Sequence, residues 1–172
     1  MEYSQLAVFK GTYRHRIDPK GRLPVPAVFR RGLGEAPPAV VVTPLDQCLA
    51  AYPPSEWSRL EEQLRTLPAF SRPAKALTRL LTSRAVDCEL DVQGRILLPA
   101  PLRAAAGLDR EALVIGVLNR FEVWAPDRWD AFVADSERLL EDATLDVHWP
   151  LPPAASPEPR SPGHPQEKPK RM

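Results

Sequence analysis

One segment of the chain is written twice. Asp18-Pro19-Lys20-Gly21-Arg22-Leu23-Pro24-Val25-Pro26-Ala27-Val28-Phe29-Arg30 returns as Asp91-Val92-Gln93-Gly94-Arg95-Ile96-Leu97-Leu98-Pro99-Ala100-Pro101-Leu102-Arg103. The offset is 73 residues, and Asp, Gly, Arg, Pro, Ala and Arg recur at six of thirteen positions. Downstream, Val40-Val41-Val42 aligns with Leu113-Val114-Ile115, and after a one-residue slip Tyr52 to Trp57 aligns with Trp124 to Trp129. Self-similarity at a fixed offset is the mark of one supersecondary unit used more than once. A chain of 172 residues is sized for one ordinary domain or two very small ones, so its fold has to accommodate two copies of a single frame.

Each copy reads alike. Thr12 to Ile17 is a strand candidate leading into Asp18-Pro19-Lys20-Gly21, with Asp, Pro and Gly where a type I turn ending in a left-handed residue wants them. Asp91 and Gly94 hold the same turn positions, so Asp18, Gly21, Asp91 and Gly94 are expected to form the turns. Pro26 and Pro99 suit the first position of a short helix, which Gly32 or Gly34 and Gly107 then stop. Ala39 to Thr43, Cys48 to Tyr52, Leu113 to Val117 and Phe121 to Ala125 are apolar enough for strands of a sheet core. Ser55 is expected to cap a helix bearing Trp57, Leu60, Leu64 and Leu67, and Asp127 one bearing Trp129, Phe132, Val133, Leu139 and Leu140. Pro68 and Pro73 should interrupt the first, with a second piece from Ala74 to Arg84 carrying Leu77, Leu80 and Leu81 toward the second copy.

Charge separates the copies. Lys10 to Arg31 holds seven basic residues (Lys10, Arg14, Arg16, Lys20, Arg22, Arg30, Arg31) against Asp18 alone, a net +6 in a chain whose total is +1. Arg84 to Arg103 sums to zero. A +6 hairpin is the footprint of something that meets phosphates. Against that, Arg22 and Arg95 stand next to their turn glycines, where each is also placed to pair with its turn aspartate. Arg30 and Arg103, on the short helices, read as exposed or ion-paired residues.

Other functions find little support. Among eight glycines there is no P-loop or GxGxxG, and no Ser/His/Asp or Cys/His set is suggested; His148 and His164 lie in or beside the tail and His15 reads as a polar surface group. No catalytic, cofactor-binding or metal-ligating residues are therefore expected. Cys48 and Cys88 are too few for a disulfide framework and sit beside apolar residues, as buried reduced thiols do. Met1-Glu2-Tyr3-Ser4-Gln5 lacks the basic start and apolar core of a signal peptide, and the apolar stretch from Ala112 to Leu118 is far short of a bilayer span. A soluble, cytoplasmic protein is expected. Eight of the 21 prolines fall within residues 150–172, which read as a disordered tail.

The doubled DxxGRxxxP, with Phe9-Lys10-Gly11 before it and the Leu45 to Trp57 and Asn119 to Trp124 segments after its two copies, resembles the MraZ family of bacterial transcriptional regulators, which have two domains of the SpoVT-AbrB type. The resemblance covers about Phe9 to Leu140. It implies a mostly β fold with short and flanking helices: an AbrB-like swapped-hairpin β-barrel in which the two units act as a pseudo-dimer. It further implies self-association into rings and binding to the promoter of the cell-division and cell-wall gene cluster. The family's DNA-contacting loop maps onto Lys20 and Arg22, and the second loop onto Gln93 and Arg95. The chain departs from the family in a longer start before Phe9 and in its Pro-rich end.

Together these readings give repeat 1 at 12–56, a helical linker at 57–84, repeat 2 at 85–128, a C-terminal helix at 129–149 and the tail at 150–172. The expected function is sequence-specific binding of repeated sites in double-stranded promoter DNA by a nucleoid-associated homo-oligomer. Arg14, Arg16 and Lys20 would anchor phosphates, Arg22 would reach base edges, and Arg95 would be a lesser contact. The alternative is an oligomeric protein-interaction module whose basic hairpin meets acidic partners.

Overall fold

The computed structural model describes residues 8–34 and 38–142; the Pro-rich tail lies outside them. Along the chain run β1 (Phe9–Arg16), β2 (Arg22–Pro24), α1 (Ala27–Arg30), β3 (Ala39–Leu45), β4 (Cys48–Tyr52), α2 (Pro54–Thr66) and α3 (Arg72–Thr82). Then follow β5 (Val86–Glu89), β6 (Arg95–Leu97), α4 (Ala100–Ala105), β7 (Glu111–Leu118), β8 (Arg120–Trp124) and α5 (Pro126–Asp142). No described helix is long and apolar enough to cross a membrane.

The strands form two antiparallel sheets, one ordered β1-β7-β8-β4-β3-β5 and one made of β2 and β6. The repeat makes β1, β3 and β4 the counterparts of β5, β7 and β8, so the order reads the same from either end. Strands cross between the units: β1 lies on β7, β5 on β3, β4 on β8 and β2 on β6. The larger sheet packs one face against the β2–β6 ribbon and the short helices, where Phe9, Phe29 and Phe121 meet with ring centroids 5.3 to 5.8 Å apart. Such aromatic contacts add about 0.5–1.5 kcal/mol each beyond simple burial. On the other face Trp57 of α2 packs against Tyr52, and Trp129 of α5 against Trp124, again in equivalent places. Period-two alternation lets β3 serve both layers, with Val40 and Val42 in the main core and Val41 behind.

The expected β-barrel is not what forms. Among the described residues the six-stranded sheet is open, with β1 and β5 as its two edges and no pairing between them. Closure would need β2 and β6 to continue the ladders of those edges, but their three residues pair with each other, and beyond that β6 makes only an isolated bridge from Ile96 to Leu90 among the described residues. Pro24, Pro26 and Pro99 withhold the N–H groups that longer ladders would use. Nor is the chain mostly β: helices hold more residues than strands, giving a mixed fold of two open antiparallel sheets with helices on both outer sides.

Local corrections share one cause, which is proline chemistry. α2 starts at Pro54 rather than under a Ser55 cap, because the Pro53 carbonyl already accepts the Glu56 and Trp57 N–H groups at 3.0 and 2.9 Å. Likewise Pro126, not Asp127, opens α5. Pro26 and Pro99 stand one residue before their helices, and Pro73 sits in the first turn of α3 behind a Ser71 cap, where its missing N–H is harmless. In α3 only Leu81 is buried, while Leu77 and Leu80 remain about half exposed.

Gly116 permits the β1–β7 pairing. A Cβ there would run into the backbone of Phe9 and Lys10, which cannot rotate away as a side chain would. Gly116→Ala should therefore destabilise the fold by about 1–3 kcal/mol, the usual range for overpacking. Equilibrium urea unfolding reads this directly, and an unchanged midpoint would show that the edge strand shifts freely.

Candidate nucleic-acid interface

Each repeat hairpin is closed by its own aspartate. Asp18 Oδ1 accepts the N–H groups of Lys20 and Arg22, both at 2.9 Å, while Oδ2 accepts the Arg22 Nε–H at 2.6 Å. Asp91 repeats the pattern with the Gln93 N–H at 2.9 Å, the Arg95 N–H at 3.0 Å and the Arg95 Nε–H at 2.8 Å. Gly21 and Gly94 complete the turns at φ of +87° and +74°, a region that favours glycine. These donors favour the charged carboxylates. Asp18 is held below the usual carboxylate range chiefly by the Arg22 N–H, and Asp91 is drawn down to about 2, first by the Arg95 side chain.

The two turns are brought together by the ribbon. Its register sets Arg22 opposite Leu97 and Arg95 opposite Pro24 on the outward face, while Leu23 and Ile96 point inward, both 0% exposed. Arg95 Nη1 thereby comes within 3.9 Å of Asp18 Oδ2, and its Nη2 is 2.7 Å from Asp91. Arg95 thus faces two carboxylates, whereas Arg22 has only the ion pair with Asp18 among the described residues. The turn tips lie at opposite ends of the ribbon. Leu98 N–H donates to the Gly21 carbonyl and Val25 N–H to that of Gly94, both at 2.9 Å. One tip exposes Pro19 and Lys20, the other Val92 and Gln93.

Along β1, Lys10, Thr12, Arg14 and Arg16 alternate outward and are exposed. Arg14 forms an exposed ion pair with Glu111 at 2.9 Å, so part of the +6 is met locally. Arg16 lines an open cleft of about 860 Å³ with Arg103, Arg110, Asp18, Asp109 and Glu111, three cations against three carboxylates. That balance leaves the cleft with no net charge. His15 is partly buried, which lowers its pKa. Among the described residues no cluster of His, Cys, Asp or Glu is arranged to hold a metal.

The sequence reading has Arg30 exposed on its short helix, as found, but does not show where Arg30 and Arg103 reach. Arg30 and Arg103 are not merely solvating residues: the first lies over the second unit's Gly94 and the second over the first unit's Gly21. The signal was an arginine nine residues after each turn glycine, but the repeat cannot show that each reaches across to the other copy's turn.

A family model described as MraZ protein and antitoxin-like matches the chain twice in succession, over residues 8–80 and 81–146. The chain is also similar to proteins named "Transcriptional regulator MraZ" from three bacteria. That of Ligilactobacillus salivarius is 47% identical over 135 residues, covering 78% of this chain and 93% of the relative. Those of Desulforamulus reducens and Natranaerobius thermophilus are 46% and 43% identical over 140 residues, each covering 81% of this chain and 97% and 96% of the relative.

The turn aspartates give stability a definite pH dependence. A carboxyl whose pKa is lower folded than unfolded contributes stability above its unfolded value, and that contribution is lost as pH falls toward the folded value. For Asp91 the window runs from about 4 down to about 2. Asp91→Asn should flatten the fall of the thermal midpoint across that window; curves that stay parallel would mean the turn does not feel the ion pair.

Proposed function

We propose that this chain, which belongs to the MraZ family and is a DNA-binding transcriptional regulator, lays the outward face of its β2–β6 ribbon and the first turn against promoter DNA. The observation that carries this reading is the ribbon itself. Two short antiparallel strands display Arg22 and Arg95 diagonally on one face, with the exposed Lys20 at one end. A two-stranded ribbon is narrow enough for the major groove, where arginine donates to guanine O6 and N7. Lys20 and Arg16 anchor phosphates, Arg14 contributes once its pair with Glu111 opens, and Arg95 is the weaker contact because two carboxylates already hold it. One ribbon offers few charges. Repeated sites read by a homo-oligomeric ring would multiply a weak contact, consistent with action in the nucleoid at the cell-division and cell-wall gene cluster and its own promoter. Repeats at 12–56 and 85–128 supply the two turns, and the segment 57–84 joins them.

Titration of a promoter fragment against scrambled DNA over a salt series tests the reading. Arg22→Ala should cost about 1–3 kcal/mol per contact. Lys20→Ala should flatten the dependence of log K on log salt by about 0.9. Arg95→Ala should lose less affinity. No preference for the promoter would favour the interaction-module alternative, and a larger loss for Arg95→Ala would put the wrong turn on the DNA. Light scattering should report a multiple of 19.2 kDa; a strict monomer with tight binding would remove the ring from the mechanism.

A further inference from the structure

The first turn is not held by its own unit alone. Its Gly21 carbonyl accepts the Leu98 N–H at 2.9 Å, and the Leu98 carbonyl accepts the Arg103 Nε–H at 3.1 Å. The guanidinium then returns to the turn: a Cβ built on Gly21 would stand 3.1 Å from Arg103 Nε and 3.2 Å from its Cζ. Gly21, Leu98 and Arg103 thus close a circuit between the turn of one unit and helix α4 of the other. Leu98 is 0% exposed and Arg103 half-buried, so water competes weakly for these bonds.

The second turn has only part of this circuit. Val25 N–H donates to the Gly94 carbonyl, and Arg30 of α1 crowds Gly94 so closely that a Cβ would stand 2.7 Å from its Cδ. Yet Arg30 is exposed and, among the described residues, makes no hydrogen bond to the Val25 carbonyl that would match the Leu98–Arg103 bond. The basic turn is therefore the more tightly clamped of the two.

We propose that Arg103 is a positioning residue for DNA binding: it clamps the first turn from the opposite unit and so presets Lys20 and Arg22. This rests on the DNA-binding reading above. A turn ordered before encounter avoids the entropic cost of being ordered on the DNA. Arg103 acts through Gly21 and Leu98, and adds no phosphate contact of its own.

The test uses Arg103→Ala, Arg103→Gln and Arg103→Lys in the full chain, each first checked for an intact thermal transition. In DNA-free protein, amide hydrogen exchange at Leu98 and Gly21 should quicken about two- to tenfold in all three, the worth of one net hydrogen bond. Promoter affinity should fall by a similar factor at every salt concentration, with the salt slope unchanged. Arg103→Lys should fail to rescue it, because lysine keeps the charge but lacks the planar fork. Unchanged exchange would overturn the clamp whatever the DNA data show. A slope flattened by about 0.9 and restored by lysine would make Arg103 a direct phosphate contact and overturn the proposal. Quickened exchange in a protein whose wild type does not prefer promoter DNA would remove the DNA role and refute the function reading separately.

Discussion

Every cross-unit contact here follows from one constraint: neither repeat can satisfy its strand edges by itself. Among the described residues β1 pairs only with β7, β5 pairs along its length with β3, and three-residue β2 and β6 find a ladder only in each other. An unpaired N–H or C=O shut away from water costs about as much as a lost hydrogen bond. The two units are thereby forced into one object with a shared core, in which Phe9 and Phe29 of the first unit pack on Phe121 of the second. Gly116 belongs to the same constraint, since without its bare backbone the first strand could not settle on β7.

The turns inherit their placement from this exchange. An aspartate accepting two backbone N–H groups and an arginine Nε–H makes a turn rigid from within. Only the β2–β6 register sets the two turns at opposite ends of one outward surface and puts Arg22 and Arg95 between them. The frame is symmetric and its decoration is not. Lys20 at one tip faces solvent where Val92 and Gln93 do at the other, and Arg95 is drawn to two carboxylates where Arg22 has one. Duplication followed by unequal charge gives a nearly two-fold body with a basic end.

Much of this was legible before the fold was known. The Asp-x-x-Gly-Arg turn announces itself because its chemistry is local: carboxylate, donors and glycine lie within five residues. Strand β4 emerged at its full bounds, Cys48–Tyr52, since a short apolar run fenced by turns has few other readings. Helix starts were misread at Ser55 and Asp127, where a preceding proline carbonyl had already begun the helix at α2 and Pro126 opens α5. Leu77 and Leu80 have helical spacing but stay half exposed, because periodicity names a face without naming what covers it.

By itself, then, the sequence determined the repeat, the two turns with their aspartates and glycines, the order of strands and helices, and the charge imbalance between the copies. Each depends on residues close along the chain or on composition. Only the tertiary structure decided that the sheets stay open, that α-helix outweighs strand, that Glu111 meets Arg14, and that Arg103 and Arg30 cross to the opposite turns. Those outcomes turn on which edges find partners and which side chains reach across the approximate two-fold. Two copies of one local pattern cannot encode a choice between pairing with themselves and pairing with each other; packing makes it, by leaving three-residue strands no other ladder to join among the described residues.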